Sequence, residues 1–589
     1  MRVKPLLIAC AALAIAIPAI AQQAAQPQTQ PQPSQPQPSS EPEPSGEPDL
    51  SSEPRRAGND AASGGDGFQE FTPATPTVSI QPPIEYPGWA RRDARLVGKL
   101  DPVALGLSQQ PWGDASGAFL STLMLRMDTP IASRWAHIAL RDALLARTPA
   151  PRDVNPIDWT AARAWLLLRM GEADAARMLV DGVDTDAYTP RMVQVAVQAA
   201  LATADVAAMC PLQSRLREQE PRIRQFVQAM CAALAGDSDS ASAQIDSARR
   251  SSRVGGIDLA LAEKVVGAAG SGRSATIEWE PVNSLTAWRF GLAAATGMAP
   301  PDRLLNAAPP QLRAYHARAP LFSPQQRLQP SLIAAGLGVF SSQSLVDLYS
   351  QIYDATDAGD LPSSDAWQLR LAYIGKDRGA RLDAIRRLLG TGKEGFGKEG
   401  ARALVARAAT RIPPDAELSK DAPDLIAAML AGGFDRAAAR WAPVVGDMEE
   451  ADGDRVWAML ALSAPDAAGI GMGRIGGFIS RDESPDKVRS ALLVAGLAGL
   501  GRIDTSTANS LNKRYGLGLG RSNSWTRMID AAAGRGQGAT VRLMTGTGLQ
   551  TASWSRVPAA HLYHALMALK RTDQDFTARM IAAEALSRT

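Results

Sequence analysis

The sequence predicts an all-α protein built from helical hairpins stacked in chain order, and three observations carry that prediction. Over residues 87–589 apolar side chains recur at three- and four-residue spacing, with very little that alternates like a strand. Alanine dominates this stretch and aromatics make up only 5% of the chain, a composition that favours helices and lets them approach closely. About five hundred residues are too many for one compact core. No second low-complexity linker divides them, which favours a quasi-linear stack of helix pairs over separate domains.

Taken in order, the first element is an export signal over residues 1–21. Met1–Arg2–Val3–Lys4 is a short basic start, and residues 5–20 form an unbroken apolar run. Ala19 and Ala21 put small residues at −3 and −1 of a cut between Ala21 and Gln22. The run is about sixteen residues long, short of the roughly 20 that cross a bilayer as a helix, and Pro18 breaks the helix just before the cut. Leu7–Ile8–Ala9–Cys10 also fits a lipobox. A membrane is a partner only if this segment is retained or Cys10 is lipidated. The expectation is a periplasmic or secreted protein, away from ATP, which excludes most nucleotide-driven enzymes.

Residues 22–86 are Gln, Pro, Ser, Glu and Gly with few large apolar side chains. Such a segment cannot bury enough surface to offset the entropy of ordering, so it is expected to be a disordered linker.

The helical body begins near residue 87. Trp159, Ala162, Trp165, Leu166 and Met170 predict one apolar face over 158–170. Gly171 breaks that helix, and Ala176, Leu179, Val180 and Val183 line the next. The offsets Gly171, Ala176, Val180, Val183, preceded by Ala164 and Leu167, resemble the second half of a tetratricopeptide repeat, with Arg163 where that family has leucine. Gly236, Ala241, Ile245, Ala248 and Gly432, Ala437, Trp441, Val444 repeat the offsets. Their glycines lie 65 and 196 residues apart, close to two and six periods of about 33, near the family's repeat of roughly 34. The resemblance implies a tetratricopeptide-like α-solenoid. At the end, Pro558 starts a helix through Leu562, Ala565, Leu566 and Leu569. A turn over 570–575 leads to a second helix with Phe576, Met580, Ile581 and Ala585 on one face. This hairpin is similar to the closing hairpin of uncharacterised exported helical-repeat proteins from bacteria, which implies no activity.

After removal of the signal two cysteines remain, Cys210 and Cys231. Adjacent antiparallel helices can bring them within bonding distance, and an oxidising compartment preserves the bond. The pair predicts a disulfide, with two separately buried thiols as the alternative. Charge is balanced, 62 Lys plus Arg against 60 Asp plus Glu. Arginine groups such as Arg91–Arg92 and Arg249–Arg250–Arg253 read as solvated helix faces, and no nucleic-acid module is present.

Chemical motifs fail one by one. Gly392 to Lys398 satisfies a phosphate-binding loop except at its last position, where Glu399 replaces Ser or Thr, and a helix precedes it where a strand is required. Gly471 to Gly476 matches GxGxxG without a βαβ unit, and it reads, like Gly534–Gly536–Gly538, as an interhelix loop. Ser510–Lys513 matches Ser-x-x-Lys, but its partner motifs are missing. Glu483–Ser484 and Gly548–Leu549–Gln550 are fragments of the soluble lytic transglycosylase pattern, broken by Pro485 and by a missing Met. His561 and His564 share a helix face, but two nitrogens are too few for a typical metal site. No cofactor, metal ligand or catalytic residue is expected.

The resulting expectation is a non-catalytic extracytoplasmic scaffold that binds a protein or a cell-envelope polymer. Trp135, Trp367, Trp457 and Trp525 are generic anchor candidates. The alternative is a cell-wall or polysaccharide-acting enzyme with an unrecognised pair of carboxylates.

Overall fold

The computed structural model describes residues 87–216, 221–250, 255–270, 275–393, 395–466 and 472–589. The signal 1–21 with its Ala21–Gln22 cut, Cys10 and the linker 22–86 lie outside the described residues, as do Arg253, Glu394 and Gly471. The chain falls into two units. Residues 87–91 belong to the unit Pro27–Arg91, and the rest of the described chain to Arg92–Thr589. In the former, Gly88–Ala90 is one 3-10 turn with Trp89 exposed.

The Arg92–Thr589 unit is all-helical. Among the described residues there is no strand, only an isolated bridge between Leu100 and Ala146. Helix starts follow from side-chain caps that satisfy orphan N–H groups. Ser133 accepts from the Ala136 N–H, Asn155 from Ile157 and Asp158, and Thr189 from Met192. Ser323 and Gln326 form a complete capping box.

The predicted 158–170 helix runs Pro156–Met170, with Trp159, Ala162, Leu166 and Met170 buried and Trp165 half-buried. Gly171 ends it at φ 98°, a left-handed conformation that costs glycine little. Ala173–Val180 then folds back against it, with Ala176, Leu179 and Val180 buried. Pro221–Leu234 and Ser238–Arg250 make a similar pair about Gly236, with Ala241, Ile245 and Ala248 inward. The third segment departs from the expected offsets. Its left-handed turn residue is Gly433 rather than Gly432. The helix Asp435–Ala439 has only 5 residues before a 3-10 stretch, Ala442–Asp447, with proline in its first turn. Trp441 is fully buried.

One loop assignment is corrected. Gly473 and Gly476 lie inside the helix Met472–Arg481. Ile475, Phe478 and Ile479 give it a buried stripe at helical spacing, and that burial outweighs the roughly 1 kcal/mol that each interior glycine costs. By contrast, Gly536 is a turn residue at φ 68°, between a helix ending at Gly534 and one starting at Gly538.

Most helices pack on their chain neighbours, but the two ends of the row also meet. Arg134–Leu145 packs on Gly538–Gly548 and on Asp575–Ser587. The last helix is therefore no exposed end cap. Ala422–Ala431, Glu450–Ser463, Val488–Gly499, Ala559–Arg571 and Arg134–Leu145 all contact it. Ala578, Met580, Ile581, Ala582, Ala583 and Ala585 are all buried, together with Arg579 and Glu584, so this helix lies in the core with its charges paired inside it.

Charge seals this junction. The buried Glu584 carboxylate accepts from the Ser133 hydroxyl at 2.5 Å, the Arg134 N–H at 2.8 Å and Arg588 Nη1 at 2.6 Å. Burial pushes Glu584 above the ordinary carboxylate range, opposed by Arg588. The Arg134 guanidinium donates to the carbonyls of Ala335 at 2.8 Å and Ala431 at 2.9 Å, so one side chain ties three distant helices.

Candidate functional site

The residues singled out by sequence lie in separate places. Cys210, in the 3-10 stretch Val206–Arg215, and Cys231, in Pro221–Leu234, are joined by a disulfide with Cα atoms 5.6 Å apart. It is a cross-link between neighbouring elements, and neither cysteine lines the cavities described below. His561 and His564 do not converge. His561 stacks on Trp525 with centroids 4.3 Å apart, and its Nδ1 lies 3.1 Å from the Gly548 carbonyl. His564 Nδ1 pairs with Asp530 at 2.9 Å. Among the described residues no group of three or more His, Cys, Asp or Glu is placed to hold a metal ion. Arg249 pairs with Asp246 and Glu263, and Arg92 with Asp184. The Ser484 hydroxyl donates to Asp482 at 2.6 Å. Among the described residues, no helix is long and apolar enough to cross a membrane.

Three of the four tryptophan candidates serve internal packing. Trp135 donates to the Leu430 carbonyl at 3.2 Å and meets Phe576 edge-on. Trp457 is buried against Phe478, and Trp525 donates to the Met544 carbonyl at 2.9 Å.

Trp367 is different, because it supports a groove. Ser341 caps the helix Ser342–Ala355, and Ser364 caps Asp365–Ile374. The two pack as chain neighbours around a cavity of about 340 Å³. Tyr349 is buried at its floor, while Tyr353, Arg370 and Tyr373 form the sides. Trp367 stacks on Tyr353 at 6.3 Å and 14°, holding that ring from behind. The Arg370 guanidinium lies 5.2 Å from the Tyr353 ring, and Arg411 lies 5.2 Å from Tyr373. Burial raises the Tyr373 phenol. Ile374, 60% exposed, stands at the rim beside Asp354. Aromatic rings backed by arginine, next to an exposed aliphatic residue, form the kind of surface that binds another molecule by desolvation.

Sequence reading named Trp367 and missed the tyrosines it organises. The signal was present: Tyr349, Tyr353, Trp367 and Tyr373 fall within one short stretch of a chain otherwise poor in aromatics.

The carboxylates Glu399 and Glu584 are both buried, and the charge of Glu399 adds to the rise of Glu584. Glu399 lies 3.4 Å from Arg402, and Glu584 is tied to Arg588, so each is matched to an arginine within the core. The chain matches no protein-family model, no curated protein and no solved structure.

Proposed function

We propose that this chain is a non-catalytic, extracytoplasmic helical scaffold that binds a protein or cell-envelope partner through the groove between Ser342–Ala355 and Asp365–Ile374. The groove's paired aromatic and arginine side chains carry the reading, because such side chains supply most of the energy at binding surfaces. The extracytoplasmic address rests on the leader-like residues 1–21 and gains support from the Cys210–Cys231 bond. The hairpins about Gly171 and Gly236 support a degenerate tetratricopeptide-like repeat as the building unit.

A photo-crosslinking residue at Ile374 in intact cells tests the proposal. A discrete adduct is expected, and Tyr353→Ala should remove it while leaving the thermal unfolding curve in place. Purified protein should release no soluble product from cell-wall sacculi. Product release, abolished when one acid is neutralised, would instead establish the polysaccharide-acting enzyme.

A further inference from the structure

A second cavity, of about 740 Å³, opens between the helices Asp302–Ala307, Pro310–His316 and Pro324–Leu337 and the backbone at Gly392 and Gly397. Its volume lies in the range of small-molecule sites. Four carboxamides, Asn306, Gln325, Gln326 and Gln329, line it together with Asp302, Arg313, His316 and Lys393. Two of these side chains have unmet hydrogen-bonding capacity.

Arg313 is half-buried and donates from Nη2 to the Ala308 carbonyl at 3.3 Å. Its Nε is buried without a partner, and among the described residues no carboxylate pairs with it. Burial lowers its pKa, and no acid pulls it back. Arg289, also half-buried, holds Asp258, whereas Arg327 resembles Arg313, with a buried Nε that has no partner. An unpaired guanidinium removed from water is costly, and an anion would relieve that cost.

His316 is 2% exposed. Its Nε2 lies 3.1 Å from the Gln326 carbonyl, which can only accept, so Nε2 carries the proton. Nδ1 is then a lone pair, and it has no partner. Burial pushes the imidazole down to about 4, so it is neutral near pH 7, and Phe322 packs on the ring at 4.5 Å. Nδ1 is closed to solvent, so His316 shapes the cavity wall and makes no direct contact with what enters it.

Asp302 adds a carboxylate to the walls, which opposes an anionic group beside it and can accept from a sugar hydroxyl. Gln326 Oε1 accepts from the Ser323 N–H, which leaves its amide hydrogens for other acceptors. A side chain added at Gly397 would meet nothing within 4 Å. Glu399, the acid that speaks against an anion when the sequence is read alone, turns its carboxylate into the core toward Arg402.

We propose that this cavity binds an acidic saccharide. Arg313 and Lys393 meet its carboxylate or phosphate, while the carboxamides of Asn306, Gln325 and Gln329 meet its hydroxyls. The site is separate from the aromatic groove and goes beyond the function proposed for it.

Calorimetric titration of the full-length protein with glucuronic acid, glucose 6-phosphate, glucose and inorganic phosphate tests the assignment. At least one acidic sugar should bind saturably, and which of the two does so identifies the acidic group. Glucose and phosphate alone should bind at least about tenfold more weakly, since each satisfies only half of the site. Arg313→Gln should weaken the acidic sugar by about tenfold or more. Lys393→Gln, at an exposed position, and Asn306→Ala provide variants that do not depend on the buried guanidinium. Binding by neither acidic sugar would overturn the proposal. So would equal binding of glucose or phosphate, or unchanged affinity in both Lys393→Gln and Asn306→Ala. None of these results touches the crosslinking outcome at Ile374, so the two readings fail separately.

Discussion

Arg163 has no exposed surface, yet it has no carboxylate partner. It donates to the carbonyls of Leu144 at 2.8 Å, Val97 at 2.9 Å and Ala146 at 2.8 Å. Desolvation lowers its pKa to about 9, which still leaves it charged at neutral pH. The planar fork of guanidinium serves several acceptors at once, and an ammonium cannot. Arg163→Lys should therefore cost about 2–3 kcal/mol in urea unfolding, far more than a surface exchange. The sequence places Arg163 at a core position of a repeat but offers no way to read its role, because three backbone carbonyls leave no residue signature. His316 gives a pH prediction. Its folded pKa, about 4, lies below the ordinary 6.5, so the unfolded chain binds its proton first on acidification. The stabilisation is complete above pH 6.5 and is lost as pH falls toward 4, amounting to about 3 kcal/mol. Urea unfolding at pH 7 and pH 4.5 should show a smaller acid loss in His316→Asn than in the parent.

At the level of elements, the clearest constraint is the crossing of Pro324–Leu337 and Phe396–Ala409. A Cβ at Gly336 would lie 1.9 Å from the Phe396 carbonyl oxygen, and one at Gly400 would lie 1.8 Å from that of Leu332. Neither obstacle is a side chain that can rotate away. Either Gly336→Ala or Gly400→Ala should cost about 3 kcal/mol or more, despite raising helix propensity, and thermal unfolding measures it. The disulfide acts more locally. Closing a span of 21 residues should contribute about 3 kcal/mol, removed by Cys210→Ser with Cys231→Ser. Equal unfolding midpoints with and without a reductant would refute that contribution. Hairpins were legible where periodicity and a turn glycine agree, as at Gly171. Legibility failed at Met472–Arg481, where glycine punctuation outweighed the stripe of Ile475, Phe478 and Ile479.

Across the whole unit Arg92–Thr589, stability depends on contacts between an early helix, Arg134–Leu145, and the last one, Asp575–Ser587. In a linear array, loss of a terminal unit costs that unit and one interface. Here removal of residues 575–589 should expose the seats of Ala422–Ala431, Glu450–Ser463 and Val488–Gly499, and leave Arg134 without the Glu584 junction. Hydrogen exchange should show lost protection in Arg134–Leu145, hundreds of residues from the cut. Retained protection there would refute the coupling. All-helical character and chain-neighbour packing could be read from composition and spacing. The meeting of Ser133 with Glu584 could not, since a serine and a glutamate so far apart look like ordinary surface residues. That meeting bears on the order of events during synthesis. The seat beside Arg134 stays vacant until Glu584 and its helix have been made, because contacts across 451 positions form late. A polypeptide threaded outward through a membrane would therefore arrive without a finished interior, and would complete it only on the far side.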